Sequence, residues 1–260
     1  DRNNRLYPRH LIGQCPLRDR RAGKRRGVDR NQIIMDYYIP QLFDFLRRLS
    51  ANNNREWFAA NKDEFDRLRA LWLDDLQHLI DCMGMWEPRL KGRTAKECAY
   101  RIYRDTRFSL DKTPYKVYFS ASMNPYGKNA HRPGYYLQMD IRPGETGLYG
   151  GIWQPEAQVL RKLRNAIVDN IEEWEEITDT KAINRYFPGW ISSETLKSAP
   201  KGWPKDHPQI ELLRLKDYGK FCSLDEKFFN DPRWYEKASD RFRLLKSFID
   251  FLNYSIDEES

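Results

Sequence analysis

The chain is predicted to fold as an α+β protein: a single domain with an antiparallel sheet of about four or five strands and flanking helices. Three observations predict this. Apolar residues recur at helical spacing up to about residue 82 and again after residue 155, whereas between residues 98 and 153 the period drops to two. Short, turn-rich links join the alternating segments, which suits an antiparallel meander rather than a parallel sheet. The 260 residues are 40% hydrophobic and 14% aromatic, enough to bury a sizeable core.

The elements follow in order. Pro40 suits a first helical position, and Leu42, Phe43, Leu46 and Leu49 follow at helical spacing until Ser50–Asn54 breaks the pattern. Asn53 with Glu56 three residues on forms a capping-box pattern. A long helix over about 54–82 should follow, with a stripe running from Trp57 and Phe58 through Phe65, Leu68 and Trp72 to Leu79 and Ile80. Asn61 falls one turn past Trp57, as either a core amide or a pocket-lining group. Strands are expected at 98–105, 117–123, 135–141 and 146–153, with a loop at 124–134 and a turn at 142–145. Val159, Leu160, Leu163, Ile167 and Ile171 mark a returning helix, 187–208 is mixed, and 210–215 is short and apolar. The last helix should begin near Asp231-Pro232 and bury Trp234, Ala238, Phe242, Leu245, Phe248, Ile249 and Leu252.

The net charge of +7 misleads. Residues 1–34 hold ten cations against three anions, which is the whole excess, and residues 35–260 hold 35 of each sign. A basic balance would ordinarily suggest nucleic acid; here that partner is assigned to the tail alone. Residues 1–34 are expected to be a disordered basic tail outside the fold, and residues 35–260 a single domain. A targeting segment and a nucleic-acid-binding arm are the competing readings of the tail, and Met35 suggests that it precedes a true start. No apolar run approaches the roughly 18 residues that span a bilayer, so no membrane partner is expected. Cys15, Cys82, Cys98 and Cys222 show no CxxC spacing. They are expected to be free thiols of an intracellular, cytoplasmic protein. No oligomeric state is inferred.

The candidate site lies in residues 98–116. Between Arg101 and Lys116 the chain sets Arg101, Arg104, Arg107, Lys112 and Lys116 among aromatic residues, with only Asp105 and Asp111 as local anions. Arginine forks bind carboxylate or phosphate oxygens in pairs, and lysine acts as a point charge. Strand parity puts Arg104 on the apolar face with Tyr100 and Ile102, where a charge must be paired or must face a cavity. Asp140 and Glu156 could complete a neutralising network. A salt-bridged corner, an anion pocket and a solvated charged face all remain open. In the pocket reading the five cations bind a phosphate- or carboxylate-bearing small molecule, with Asn61 and Tyr135 lining the site. Trp153, after Gly150-Gly151, is a further stacking candidate, and His131 could reach the site from its loop. The histidines have no metal-ligand spacing, and Walker, dinucleotide and nucleophile-elbow motifs are missing. No cofactor, metal or catalytic residue is therefore assigned, and whether the site is enzymatic stays open. The rival is a nucleic-acid or protein interaction module, in which the arginines only stitch the structure together.

Several motifs together carry a resemblance. They are Asn52–Phe58, Asn61-Lys62, Tyr100–Ser109, Asp111–Lys116, Gly134–Leu137, Gly150–Trp153 with Pro155-Glu156, and Leu212–Lys216. Over about residues 41–253 the chain resembles the domain of unknown function 2461 family of bacterial and fungal proteins. The resemblance implies kinship and supplies no established activity.

Overall fold

The computed structural model of the protein describes residues 37–258, so the expectations for the tail, Met35, His10 and Cys15 lie outside the described residues. Helix α1 (Ile39–Ala51) starts with Pro40 in its first turn and buries Leu42, Phe43, Leu46 and Leu49 as its spacing predicts. The long helix divides in two, α2 (Arg55–Ala60) and α3 (Lys62–Gly84), with Asn61 at the junction. The capping residue is Asn54, which accepts from the Trp57 N–H. Asn53 is freed for a distant role described below. Phe65, Leu68, Trp72, Leu76, Leu79 and Ile80 of α3 are buried.

The sheet is a four-strand antiparallel meander, β1 (Tyr118–Met123), β2 (Gly134–Asp140), β3 (Gly147–Ile152) and β4 (Tyr218–Ser223), in that spatial order. Two expectations change here. The segment at 98–105 does not form a continuous ladder. A helical turn α4 (Ala95–Cys98) precedes it, capped by Thr94 and Glu97 in a true capping box. The segment then touches β1 and the residues before it only through isolated bridges, Ala99 with Ala121 and Tyr103 with Tyr115. The fourth strand comes instead from Tyr218–Ser223, where Gly219 and Lys220 disguise the strand pattern.

One face of the sheet is the core. Phe119, Ala121 and Met123 pair in register with Met139, Leu137 and Tyr135, and Leu148 pairs with Leu137 and with Cys222. Gly150 belongs to this face because a Cβ there would lie 2.5 Å from Leu245 Cδ1. On it pack α9 (Trp234–Arg243) and α10 (Lys246–Asp257), and α3 through Trp72 on Phe119; α5 (Ala157–Asp169) and α6 (Ile171–Thr178) pack against α10, and α7 (Lys181–Tyr186) and α8 (Ile210–Arg214) are short. The last stripe is buried as expected from Trp234 to Leu252, although Leu244–Leu245 interrupts the helix. Cys98 and Cys222 are buried free thiols. Cys82 is buried on the long helix. No helix among the described residues is long and apolar enough to cross a membrane.

Candidate functional site

Among the described residues no helix packs on the opposite face of the sheet, and two regions border it. The first is the cationic segment itself. Parity is right about Arg104, which is half-buried beside the buried Ile102 while Arg101, Tyr103 and Asp105 are exposed. Its Nη1 donates to Asp111 and to Thr113 Oγ1, so a local carboxylate already balances its charge. Arg107 is exposed and grips Asp105 through Nε at 3.0 Å and Nη2 at 2.7 Å. These partners hold the carboxyls of Asp105 and Asp111 down to about 2, through the Arg107 side chain in the first case and chiefly the Thr113 N–H, with Arg104, in the second. Lys112 Nζ donates to the Thr106 carbonyl at 2.9 Å, closing the loop on itself. Asp140 does not join this network. It is buried and accepts from Arg142 Nη2 at 2.6 Å and from the Gln138 amide at 3.0 Å. Of two other expected lining residues, Asn61 lies elsewhere and donates its side-chain amide back to the Trp57 carbonyl at 2.8 Å. Tyr135 is among the residues lining the hollow described below, although its ring is buried between Trp86 and Phe242.

Lys116 differs from the arginines. Asn53 reaches across 62 residues to clamp the strip before it, donating to the Tyr115 carbonyl at 2.9 Å and accepting the Tyr115 N–H at 3.1 Å. Phe58 stacks on the Tyr115 ring at 4.0 Å. The Lys116 N–H bonds to the Ile102 carbonyl at 2.7 Å, so the backbone here is fixed on both sides. The ammonium then lies 5.3 Å from the Tyr100 ring centre and 5.7 Å from that of Tyr118. Lys128, from the loop between β1 and β2, stands 5.5 Å from the same Tyr100 ring and donates to the Ala99 carbonyl at 2.8 Å. Arg142 lies 5.5 Å from Tyr118. Among the described residues, neither Lys116 nor Lys128 has an ion-pair partner. Burial lowers the Lys116 pKa, and Arg101 and Lys128 lower it further. No carboxylate offsets them.

Lys128 lines a hollow of about 810 Å³ over this sheet face, whereas Lys116 and Arg142 line a neighbouring cleft with Arg104 and meet the hollow through the Tyr100 and Tyr118 rings. The register places Tyr118, Ser122, Tyr136, Tyr149 and Phe221 on that face, with Tyr100 at one side and Trp153 at the other. The exposed His131 lies on the rim, as its loop position allows. Tyr136 donates to Gln138 Oε1 at 2.7 Å, continuing the polar chain to Asp140 and Arg142. Burial raises the pKa of Tyr100, Tyr118, Tyr136 and Tyr149, so their hydroxyls stay neutral donors at physiological pH. The face can therefore offer positive charge, hydroxyl donors and ring surfaces. Among the described residues no cluster of His, Cys, Asp and Glu is arranged to hold a metal ion. Of the sequence-predicted residues, Lys116 and Arg104 line the neighbouring cleft, Tyr135 and His131 are among those lining the hollow, and Arg101 is near enough to act on Lys116 through its charge. Lys128 was missed, for it lies in the 124–134 loop with no local pattern around it.

A one-sided antiparallel sheet backed by helices and edged by this signature loop defines the class of the protein. Residues 41–251 match the family model described as "Conserved hypothetical protein (DUF2461)", and the chain belongs to that family. No curated protein and no solved structure gives a significant match.

Proposed function

We propose that the protein binds a phosphate- or carboxylate-bearing ligand at the cationic edge of the open sheet face, with Lys116 and Lys128 as the contacting groups and Arg101 at the rim. One observation carries this reading: two ammonium groups lie within 5.5 Å of the Tyr100 ring, and among the described residues neither has a carboxylate partner. Charge held near charge in a half-buried setting is costly, and a bound anion removes that cost. Arg104 and Arg107 have a structural part in this reading, because Asp111 and Asp105 already occupy their forks. The site is read as a binding site, and no residue is assigned to a chemical step.

Titration calorimetry with pyrophosphate and with citrate tests it. The wild-type protein should bind at least one of them saturably, one per chain. Lys116→Met with Lys128→Met should weaken that binding at least about thirtyfold, since each charged contact is worth roughly 1.5–3 kcal/mol. Arg107→Ala should stay within about twofold. Undiminished binding by the double variant, or no saturable binding by the wild type, overturns the proposal.

A further inference from the structure

The floor of the hollow has a second feature that charge does not explain. Tyr149 and Phe221 stand directly opposite each other in the β3–β4 register, and each lies along the sheet over a glycine of the other strand. A Cβ on Gly219 would sit 2.6 Å from Tyr149 Cζ, and one on Gly147 would sit 2.6 Å from Phe221 Cζ. Real side chains do not approach so closely, so the two rings lie down on bare backbone instead of standing away from it. Both rings line the hollow. Tyr136 is opposite Tyr149 on the other side, Trp153 packs edge-on to Tyr149 at 6.2 Å, and Trp153 is 52% exposed. None of Tyr100, Tyr118, Tyr136, Tyr149, Phe221 or Trp153 belongs to the hydrophobic core, which lies across the sheet.

The spacing relates this floor to the cations. Tyr100 and Tyr136 are 6.2 Å apart, and Tyr149 lies one strand further on. With the ammonium groups 5.3 and 5.5 Å from the Tyr100 ring, and a strand spacing of about 4.8 Å from Tyr136 to Tyr149, the stepwise path from the cations to the Tyr149 ring is up to roughly 16 Å. That is too far for a single phosphorylated ring to touch both, and it suits a ring joined to a phosphate chain.

Resting on the anion-site reading above, we infer that the hollow takes a nucleotide: a base stacked on Tyr149 and Phe221, with its phosphates extending to Lys116 and Lys128. The same chemistry is offered by a free nucleoside triphosphate and by a short single strand. Stacking on ring faces is tolerant of base identity, so no single base is favoured.

The experiment compares tripolyphosphate, the four ribonucleoside triphosphates, thymidine triphosphate and an eight-residue oligothymidylate by calorimetry on the full chain. The triphosphates should bind at least about tenfold more tightly than tripolyphosphate, the gain expected of one stacked base. Phe221→Leu and Tyr149→Leu should each reduce that gain while leaving tripolyphosphate affinity within about twofold. Should these fail to fold, Trp153→Ala at the exposed rim serves instead, and nucleotide but not tripolyphosphate should quench the Trp153 fluorescence. Oligothymidylate bound more than about tenfold tighter than thymidine triphosphate identifies a strand as the ligand, and the reverse identifies a free nucleotide. If tripolyphosphate binds as tightly as every nucleotide, the stacking inference falls and the anion site stands. If nothing binds, both fall.

Discussion

The loop at 104–113 and the open sheet face both carry cations among aromatic residues, yet they use them in opposite ways. In the loop every fork has a partner: Arg104 holds Asp111 and Thr113, and Arg107 holds Asp105. The aromatic and apolar members project into water, with Phe108 and Leu110 fully exposed. On the sheet face Lys116 and Lys128 lie against the Tyr100 ring with no ion-pair partner among the described residues, and two other rings, Tyr149 and Phe221, lean over glycines. The density of cations along a sequence does not by itself make an anion site. What matters is whether anions within reach have already been spent on them. Asp105 and Asp111 are each two residues from the partner or the turn that fixes them, and so they neutralise the arginines locally.

The glycines offer the sharpest way to break the comparison, with the largest effect on stability. Gly219→Ala drives a Cβ into the Tyr149 ring and should cost about 2 kcal/mol, the range of overpacking. The obstructing atoms nearest Gly219 all belong to the Tyr149 side chain. In a Tyr149→Ala background the same change should therefore cost much less, with a coupling of about 1–2 kcal/mol in a denaturant double-mutant cycle. Strictly additive costs would mean that the ring does not lie on Gly219, and the flat floor would be lost with it. Gly147 is no substitute for this test, because a Cβ there would also meet the Cys222 carbonyl of the neighbouring strand.

These glycines also show what the sequence could and could not disclose. The alternation at 117–123 and 135–141, the stripe from Trp234 to Leu252 and the parity of Arg104 are local patterns, and all three were legible. Strand β4 was not, because Gly219 is there for a ring contributed by Tyr149, seventy residues earlier. Lys220 further masks the pattern by lying on the covered face, 4.1 Å from the Trp190 ring. Asn53 looked like a cap because capping is a short-range signal, and its true partner is the backbone of Tyr115. Lys128 joins the site from a loop, where side-chain direction follows no period. The elements of the fold were thus written locally, whereas the pairing of cations depends on contacts between distant segments.

A smaller effect sharpens the electrostatic side of the comparison. The Lys116 pKa is lowered in the folded protein, so the folded state binds fewer protons than the unfolded chain between that value and the ordinary lysine value of 10.5. Below this window Lys116 is charged in both states and destabilises the fold. Stability is recovered as pH rises through the window. Lys116→Met keeps the stem packed on Tyr100 and Tyr118 and removes the charge, so it should raise the melting temperature at pH 7 by about 2 °C. The difference should shrink as pH rises toward 10.5. The loop behaves in the opposite sense: Asp105 and Asp111 stabilise their partners at neutral pH and lose them only as pH falls toward 2. A melting series across pH that shows Lys116→Met less stable than wild type at pH 7 would mean that an unseen anion already compensates Lys116.

The smallest effect is expected where the sequence looks most distinctive. Phe108 and Leu110 are 96% and 103% exposed, so neither loses water contact on folding and neither draws on the hydrophobic effect. The loop is instead held at its stem by the Arg104 bonds, by the bridge from Tyr103 to Tyr115, and by the Arg104 N–H on the Pro114 carbonyl at 2.9 Å. Phe108→Ser with Leu110→Ser, and separately Arg107→Ala, should leave the melting temperature unchanged within error. They should also leave pyrophosphate binding within about twofold, because surface changes away from packed features are close to neutral. A marked loss of stability in either variant would show that the loop is packed in solution. A marked loss of anion binding with the fold intact would move the site from the sheet face back to the loop, reversing the assignment of the two regions.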